Sequence, residues 1–366
     1  MYKVLFLVQL PPPIHGASAV NLSIKNSAYI NNSFSTKYFN ISPAKDLTDI
    51  GKFSIGKIFK LAKIFIGVIN GFIEFKPNLV YITLSPHGLA FYKDALIALT
   101  IKSLGGKIVY HLHGKGIEKQ TRTSWIKNKI YRHVFNKAHV IHLSEKLYFD
   151  IDTIRDPSTT ITAVQNGIDG SAFIPIKKNN PVLTFVYLSN FIPAKGADIL
   201  IRATALIDKK YSDSIKVKLI GKPSNSSYFQ ELKALITTDL EQKISIIGPK
   251  YGTDKIRELL TSDVFVLPTK NDCFPLSILE AMAAGLPVIS TDEGAIADIV
   301  DHGITGDIIT DINPHSLAAA MTKYLQSRSY SEDCAEAATA KYNLKYTQEI
   351  FEQNLVSTLK TLIEQR

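Results

Sequence analysis

The chain has 366 residues, 45% hydrophobic and 20% charged, a length for two ordinary domains and a composition that excludes a disordered protein. Its two cysteines, Cys273 and Cys334, exclude a disulfide scaffold and read as free thiols. The net charge of +9 is lopsided, because residues 1–180 carry 23 basic and 10 acidic side chains, a balance of +13, and the remainder carries −4.

Lys3 to Val8 are almost uninterruptedly apolar, as a parallel strand covered on both faces requires, and Pro11, Pro12 and Pro13 end it because proline has no N–H for a ladder. That apolar run is too short for a signal-peptide core, and no segment reaches the roughly 20 apolar residues of a spanning helix, so a cytoplasmic protein, soluble or peripheral at the membrane, is expected. After the prolines come His15, Gly16 and small residues, then a helical rhythm. This brings a helix N-terminus to the strand's carboxyl end, where parallel sheets bind ligands. Residues 51–72 interleave Lys52, Lys57, Lys60 and Lys63 with Phe and Ile, and 115–137 form a second basic stretch with aromatics. Both suit an anionic membrane surface, and both suit a domain helix with a solvated lysine face.

Further strands are predicted at 78–84, 107–114, 139–144 and 160–167, with helical stretches between them. After a linker rich in Gly, Pro, Asn and Lys at 166–181, strands resume at 183–190, 215–221, 243–248, 264–269 and 286–291. Two alternating series predict an α/β protein of two Rossmann-like, doubly wound parallel sheets. The Asp-x-Asp of Asp150 and Asp152 falls in a helical stretch rather than at a strand end, and reads as a solvated pair. His139, His142 and His315 lack ligand spacing and read as structural. No motif for reading nucleic acid is present, so no nucleic-acid partner is expected.

The chemistry concentrates in 264–308. A strand ends near Pro268, a polar loop carries Asp272, and a helix from about Pro275 to Ala284 carries Glu280. The helix N-terminus is an anion site, and the two carboxylates, eight residues apart, suit sugar or ribose hydroxyls.

The segment "DCFPLSILEAMAAGLPVIST" resembles the signature of the family 4 retaining glycosyltransferases of GT-B fold, which has a Glu, seven residues, a second Glu, then Ala-Met-Ala and Gly-x-Pro-Val. The resemblance implies that Glu280 binds the nucleotide ribose, that Phe274, Pro275 and Leu276 line the donor, and that Asp272 lies near the donor sugar. Asp272 stands where the family has Glu, a side chain shorter by one carbon, about 1.5 Å. "LSNFIPAKGADILIRA" resembles the family's donor-diphosphate loop: Lys195 and Gly196 match, whereas Asn190 stands where Arg is usual. A neutral amide bonds phosphate more weakly than a guanidinium. "HLHGKG" resembles the His-Gly that places His113 at the donor sugar, and "VQNGIDGSAF" the hinge between domains. "PPPIHGAS" has His-Gly where many members have Gly-Gly, with Gly16 facing the interdomain cleft, and "LSPHGLAFYKD" is similar to members acting on surface polysaccharides. His15 and His87 are therefore candidates on the acceptor side.

The resemblance implies an acceptor-binding domain at 1–178, a donor-binding domain at 179–345 facing it across a cleft, and a C-terminal helix at 346–366 crossing back to the first domain. It implies transfer of a sugar from a nucleotide-diphosphate sugar to a glycan or lipid-linked glycan, with retention, in synthesis of a bacterial capsule, O-antigen or exopolysaccharide. His113, Asp272 and Lys195 would be catalytic, with no metal and no cofactor. A peripheral site on the inner face of the cytoplasmic membrane is expected. Two alternatives remain at this point: a nucleotide-sugar 2-epimerase of similar shape, and a catalytically weak nucleotide-sugar-binding protein.

Overall fold

The computed structural model describes residues 1–42, 55–174, 176 and 181–365, with side chains omitted at 55–58. The chain divides into two compact units, Met1–Asn166 with Glu349–Arg366, and Gly167–Gln348.

Unit 1 contains a six-stranded sheet of β1 (Lys3–Val8), β2 (Ser35–Asn40), β3 (Leu79–Thr83), β4 (Ile108–His111), β5 (His139–His142) and β6 (Thr160–Ala163), in the order β2-β1-β3-β4-β5-β6. Every pairing is parallel. Parallel strands need crossovers, and the intervening helices cover both faces, so β3 and β4 are buried at every residue. The core joins strand residues Leu5, Leu7, Val80, Ile82 and Tyr110 to the helices, where Phe91 stacks on Tyr131 with centroids 3.7 Å apart. The Gln348–Glu364 helix is tied to this unit through Lys107, whose ammonium donates to the carbonyls of Leu362 at 2.5 Å and Gln365 at 2.7 Å.

Unit 2 contains β7 (Leu183–Leu188), β8 (Ile215–Ile220), β9 (Ile244–Ile246), β10 (Val264–Leu267), β11 (Val288–Thr291) and β12 (Gly306–Ile309), in the order β12-β11-β10-β7-β8-β9, again all parallel. This is the doubly wound Rossmann order, whose winding reverses between β7 and β10. In unit 1 the reversal lies between β1 and β3. At each reversal two neighbouring loops leave in opposite directions and open a crevice at the strands' carboxyl ends.

One expectation is corrected. Asp150, in the short helix Phe149–Asp152, is not solvated but buried, and its carboxylate accepts from the backbone N–H groups of Gly116, Ile117 and Glu118 at 2.9–3.2 Å. Its role is to satisfy the otherwise orphaned amides at the start of the Ile117–Arg122 helix.

Candidate active site

In unit 2 the loops after β7 and β10 are stitched together. Ala194 O accepts from Lys270 N at 2.7 Å and from Thr269 Oγ1 at 3.2 Å. Gly196 makes the stitch possible: its φ is +76°, and an added Cβ would lie 2.2 Å from Pro268 O. The tight turn delivers Lys195 to the β10 loop, where its ammonium meets Asp272 Oδ2 at 2.5 Å and Asn271 O at 3.0 Å. Both partners of the ion pair are mostly buried. Lys195, Gly196 and Asp272 therefore converge at the reversal between β7 and β10, although 77 residues separate the charged pair in the chain.

Asn190 leaves the end of β7 beside them, its side-chain oxygen accepting from Lys222 N at 3.4 Å. Downstream of Asp272, Phe274 is buried against Tyr346 in an edge-on ring contact at 5.9 Å, and Pro275 is the N-cap of the Leu276–Ala283 helix. Pro275 offers no side-chain cap to the first amides of that helix, and Ile278 N donates to Pro275 O at 3.1 Å. Glu280, one turn on, is held by Lys255 with Nζ 2.5 Å from Oε1.

In unit 1 the loops after β1 and β3 flank the reversal and are joined by Gln9 Nε2 donating to Ser85 Oγ at 3.0 Å. His15 caps the Gly16–Asn26 helix, its Nδ1 accepting from Ser18 N at 3.4 Å, and burial holds its pKa below 6.5. Gly16 is exposed, and a Cβ there would meet nothing within 4 Å, so nothing local requires glycine. His87, exposed at the N-cap of the Gly88–Ser103 helix, lies against Gly116. His113 follows β4 and has both ring nitrogens shielded without a hydrogen-bond partner among the described residues. Burial, then the neighbouring His142 and His15, push its pKa down to about 3. Its ring lies 4.1 Å from that of His111, and the Nε2 atoms of His111 and His142 are unpartnered as well. The sites' residues thus form two groups: Asn190, Lys195, Gly196, Asp272, Phe274, Pro275, Leu276 and Glu280 in unit 2, and His15, Gly16, His87 and His113 in unit 1.

Sequence reasoning missed Lys255, which carries no motif and reaches Glu280 only through space, and Glu293, whose Oε1 accepts from Asp272 N at 3.4 Å. The signal for Glu293 was a polar run immediately after β11. Among the described residues no group of three or more His, Cys, Asp or Glu could hold a metal ion, and no helix is long and apolar enough to cross a membrane.

Residues 172–341 match the family model described as glycosyl transferases group 1. The amylovoran biosynthesis glycosyltransferase AmsK of Erwinia amylovora is 24% identical over 72% of this chain and 66% of its own length, just short of two thirds. A putative colanic acid biosynthesis glycosyltransferase, WcaL of Salmonella typhimurium, is 24% identical over 74% of this chain and 69% of its own. Among solved structures, Anabaena HepE in complex with UDP superposes with a TM-score of 0.75 at 18% identity, over 99% of this chain and 100% of that one, a likeness of fold.

Proposed function

We propose, from the match of residues 172–341 to the group 1 glycosyl transferases and from the GT-B fold, that the protein transfers a sugar, with retention, from a nucleotide-diphosphate sugar to a glycan or lipid-linked glycan hydroxyl. The observation that carries the reading is the meeting of Lys195, Asp272 and the Leu276–Ala283 N-terminus at the winding reversal of unit 2. As the glycosidic bond breaks, negative charge grows on the leaving diphosphate and positive charge on an oxocarbenium-like sugar. An ammonium has three N–H donors, of which Asp272 and Asn271 take two, leaving one for a phosphate oxygen. The helix amides add fixed partial positive charge. In this reading Asp272 faces the sugar's developing positive charge, and Glu280 accepts from ribose hydroxyls. In this reading unit 1 contributes the acceptor, with His15 and His87 on that side, and His113, neutral at physiological pH, bonds a sugar hydroxyl through its unpartnered nitrogens.

The test is a panel of UDP-, GDP- and ADP-sugars, reading released nucleoside diphosphate with and without glycan acceptors. Acceptor-dependent release supports transfer, conversion of a donor without acceptor supports a 2-epimerase, and binding without either reaction supports a non-enzyme. UDP is the first nucleotide to try, since it is bound in the Anabaena structure. The reading gives charge stabilisation to Lys195 and the helix, so turnover should survive EDTA. Loss in EDTA with recovery on magnesium or manganese would overturn that part.

The pathway reading, assembly of a bacterial surface polysaccharide at the inner face of the membrane, draws on the relatives named for amylovoran and colanic acid. It draws also on the surface of unit 1. Phe59, Ile66 and Ile73, seven residues apart along the Ile55–Phe75 helix, are 76%, 58% and 53% exposed, with Lys60 and Lys63 exposed beside them. Lys52 and Phe53 lie outside the described residues, as do the side chains of Ile55, Lys57 and Ile58. An apolar stripe edged by lysines is the pattern of a helix lying on anionic lipid. Vesicle sedimentation should show binding to anionic but not neutral liposomes, reversed by about 1 M salt, where screening shortens to about 3 Å. Equal binding to both, or to neither, would return these lysines to a solvated surface.

A further inference from the structure

We propose that Lys255 is the positioning residue that makes this protein select ribonucleotides over deoxyribonucleotides, by holding the Glu280 carboxylate so that Oε2 faces the ligand. The inference rests on the donor reading above. Lys255 lies in the first turn of the Gly252–Leu260 helix, which follows β9, whereas Glu280 lies in the Leu276–Ala283 helix, which follows β10. Their side chains, both mostly buried, meet at 2.5 Å between Nζ and Oε1. Among the described residues no hydrogen bond to Oε2 is formed.

A glutamate carries three rotatable side-chain bonds, and a ligand that must first freeze them loses affinity by the entropy of doing so. With Oε1 fixed by an ammonium, the carboxylate plane is set before the ligand arrives, and Oε2 with its lone pairs is presented to a hydroxyl. The ammonium also offsets a second cost. A diphosphate brings negative charge toward the same helix N-terminus, and an uncompensated carboxylate nearby would repel it. Lys255 thus lets an acidic residue serve a polyanionic ligand, in the same way that Lys195 accompanies Asp272. A ribose hydroxyl is the matching donor, so the preorganised oxygen should be worth little to a nucleotide that lacks it.

The experiment measures binding of UDP, GDP and ADP to the full chain by calorimetry. The tightest binder is then compared with its 2′-deoxy and 3′-deoxy forms on wild type, Lys255→Met, Lys255→Arg and Glu280→Ala, with melting temperatures recorded for each. Wild type should prefer the ribonucleotide over at least one deoxy form about tenfold, a coupling typical of directly bonded groups. Lys255→Met and Glu280→Ala should each lose most of that preference, and Lys255→Arg should keep most of it. A purely structural ion pair would lower the melting temperature of Lys255→Met and leave the preference intact, which overturns the proposal. Should Lys255→Met not fold, Lys255→Ala, which has no donor to reach Oε1, is read by the same criterion. A wild type that binds nucleotides without discriminating the sugar overturns the proposal alone, and a wild type that binds none of the three overturns the donor reading with it.

Discussion

Lys195→Ala is expected to lower kcat by roughly 100- to 1,000-fold, the range for removing one preorganised donor from developing negative charge. Its ammonium is mostly buried and anchored by Asp272 and Asn271, so no reorganisation is needed when the diphosphate leaves. Because charge on the phosphates is greatest in the transition state, kcat should fall more than KM rises. Two companions separate loss of charge from loss of structure. Lys195→Arg keeps the cation, though its planar fork suits the turn less well, and should retain more activity than alanine. Asp272→Asn leaves the ammonium without its anion, and should bind nucleotide at least as well as wild type while turning over more slowly. Wild-type kinetics in folded Lys195→Ala would remove Lys195, and the stitched loops with it, from the candidate site.

Much of unit 2 was legible because its strands are buried on both faces and so appear as apolar runs: Val264–Leu267 and Leu183–Leu188 need no alternation to be found. β12 was not, since Gly306–Ile309 is short and contains Asp307, a buried carboxylate made tolerable only by Lys323 at 2.6 Å and the Tyr330 hydroxyl at 2.9 Å. Those partners come from later helices, beyond the reach of local pattern. The edge strand Ser35–Asn40 was missed for a related reason: it is half-exposed along its length, so its composition is polar.

The residues of the candidate site were legible as motif members, not as neighbours. Lys195 and Asp272 each stood out within its own segment, but the ion pair between them follows from a sheet order in which β7 and β10 lie side by side. Lys255 was invisible because an isolated lysine in a helix is ordinarily solvated, and only the packing of two helices gives it Glu280. Asp150 misled in the opposite direction. Paired acids on a short helix usually face water, and here three backbone amides at the start of a distant helix offset part of the cost of burying Asp150, whose pKa desolvation still raises.

The second large effect is expected on acidification, and it arises from the histidines at the carboxyl ends of β4 and β5. Burial first, then mutual proximity, lowers the pKa of His113 to about 3; burial lowers His142 to about 3, and His111 lies well below its ordinary 6.5. Well above pH 6.5 these rings are neutral in both folded and unfolded chains, so they add no pH dependence there. Below it the unfolded chain takes up protons that the folded chain refuses, and stability falls steadily until the folded pKa values are reached. Each refused proton approaches a cost of about 1.4 kcal/mol per pH unit once the unfolded ring is charged, so His113 and His142 together remove about 3 kcal/mol between pH 6.5 and pH 5, with His111, His139 and His15, also lowered by burial, acting in the same direction. Against a total stability of about 5–15 kcal/mol that is a large fraction. Carboxylates titrate mainly below this window, so urea unfolding at pH 7, 6 and 5 isolates the histidines. His142→Asn removes one titrating ring and should flatten the slope by about one proton. A stability independent of pH from 7 to 5 would mean that these rings accept protons in the folded chain, and with them His113 would no longer be the neutral hydrogen-bonding group that the sugar-site reading requires.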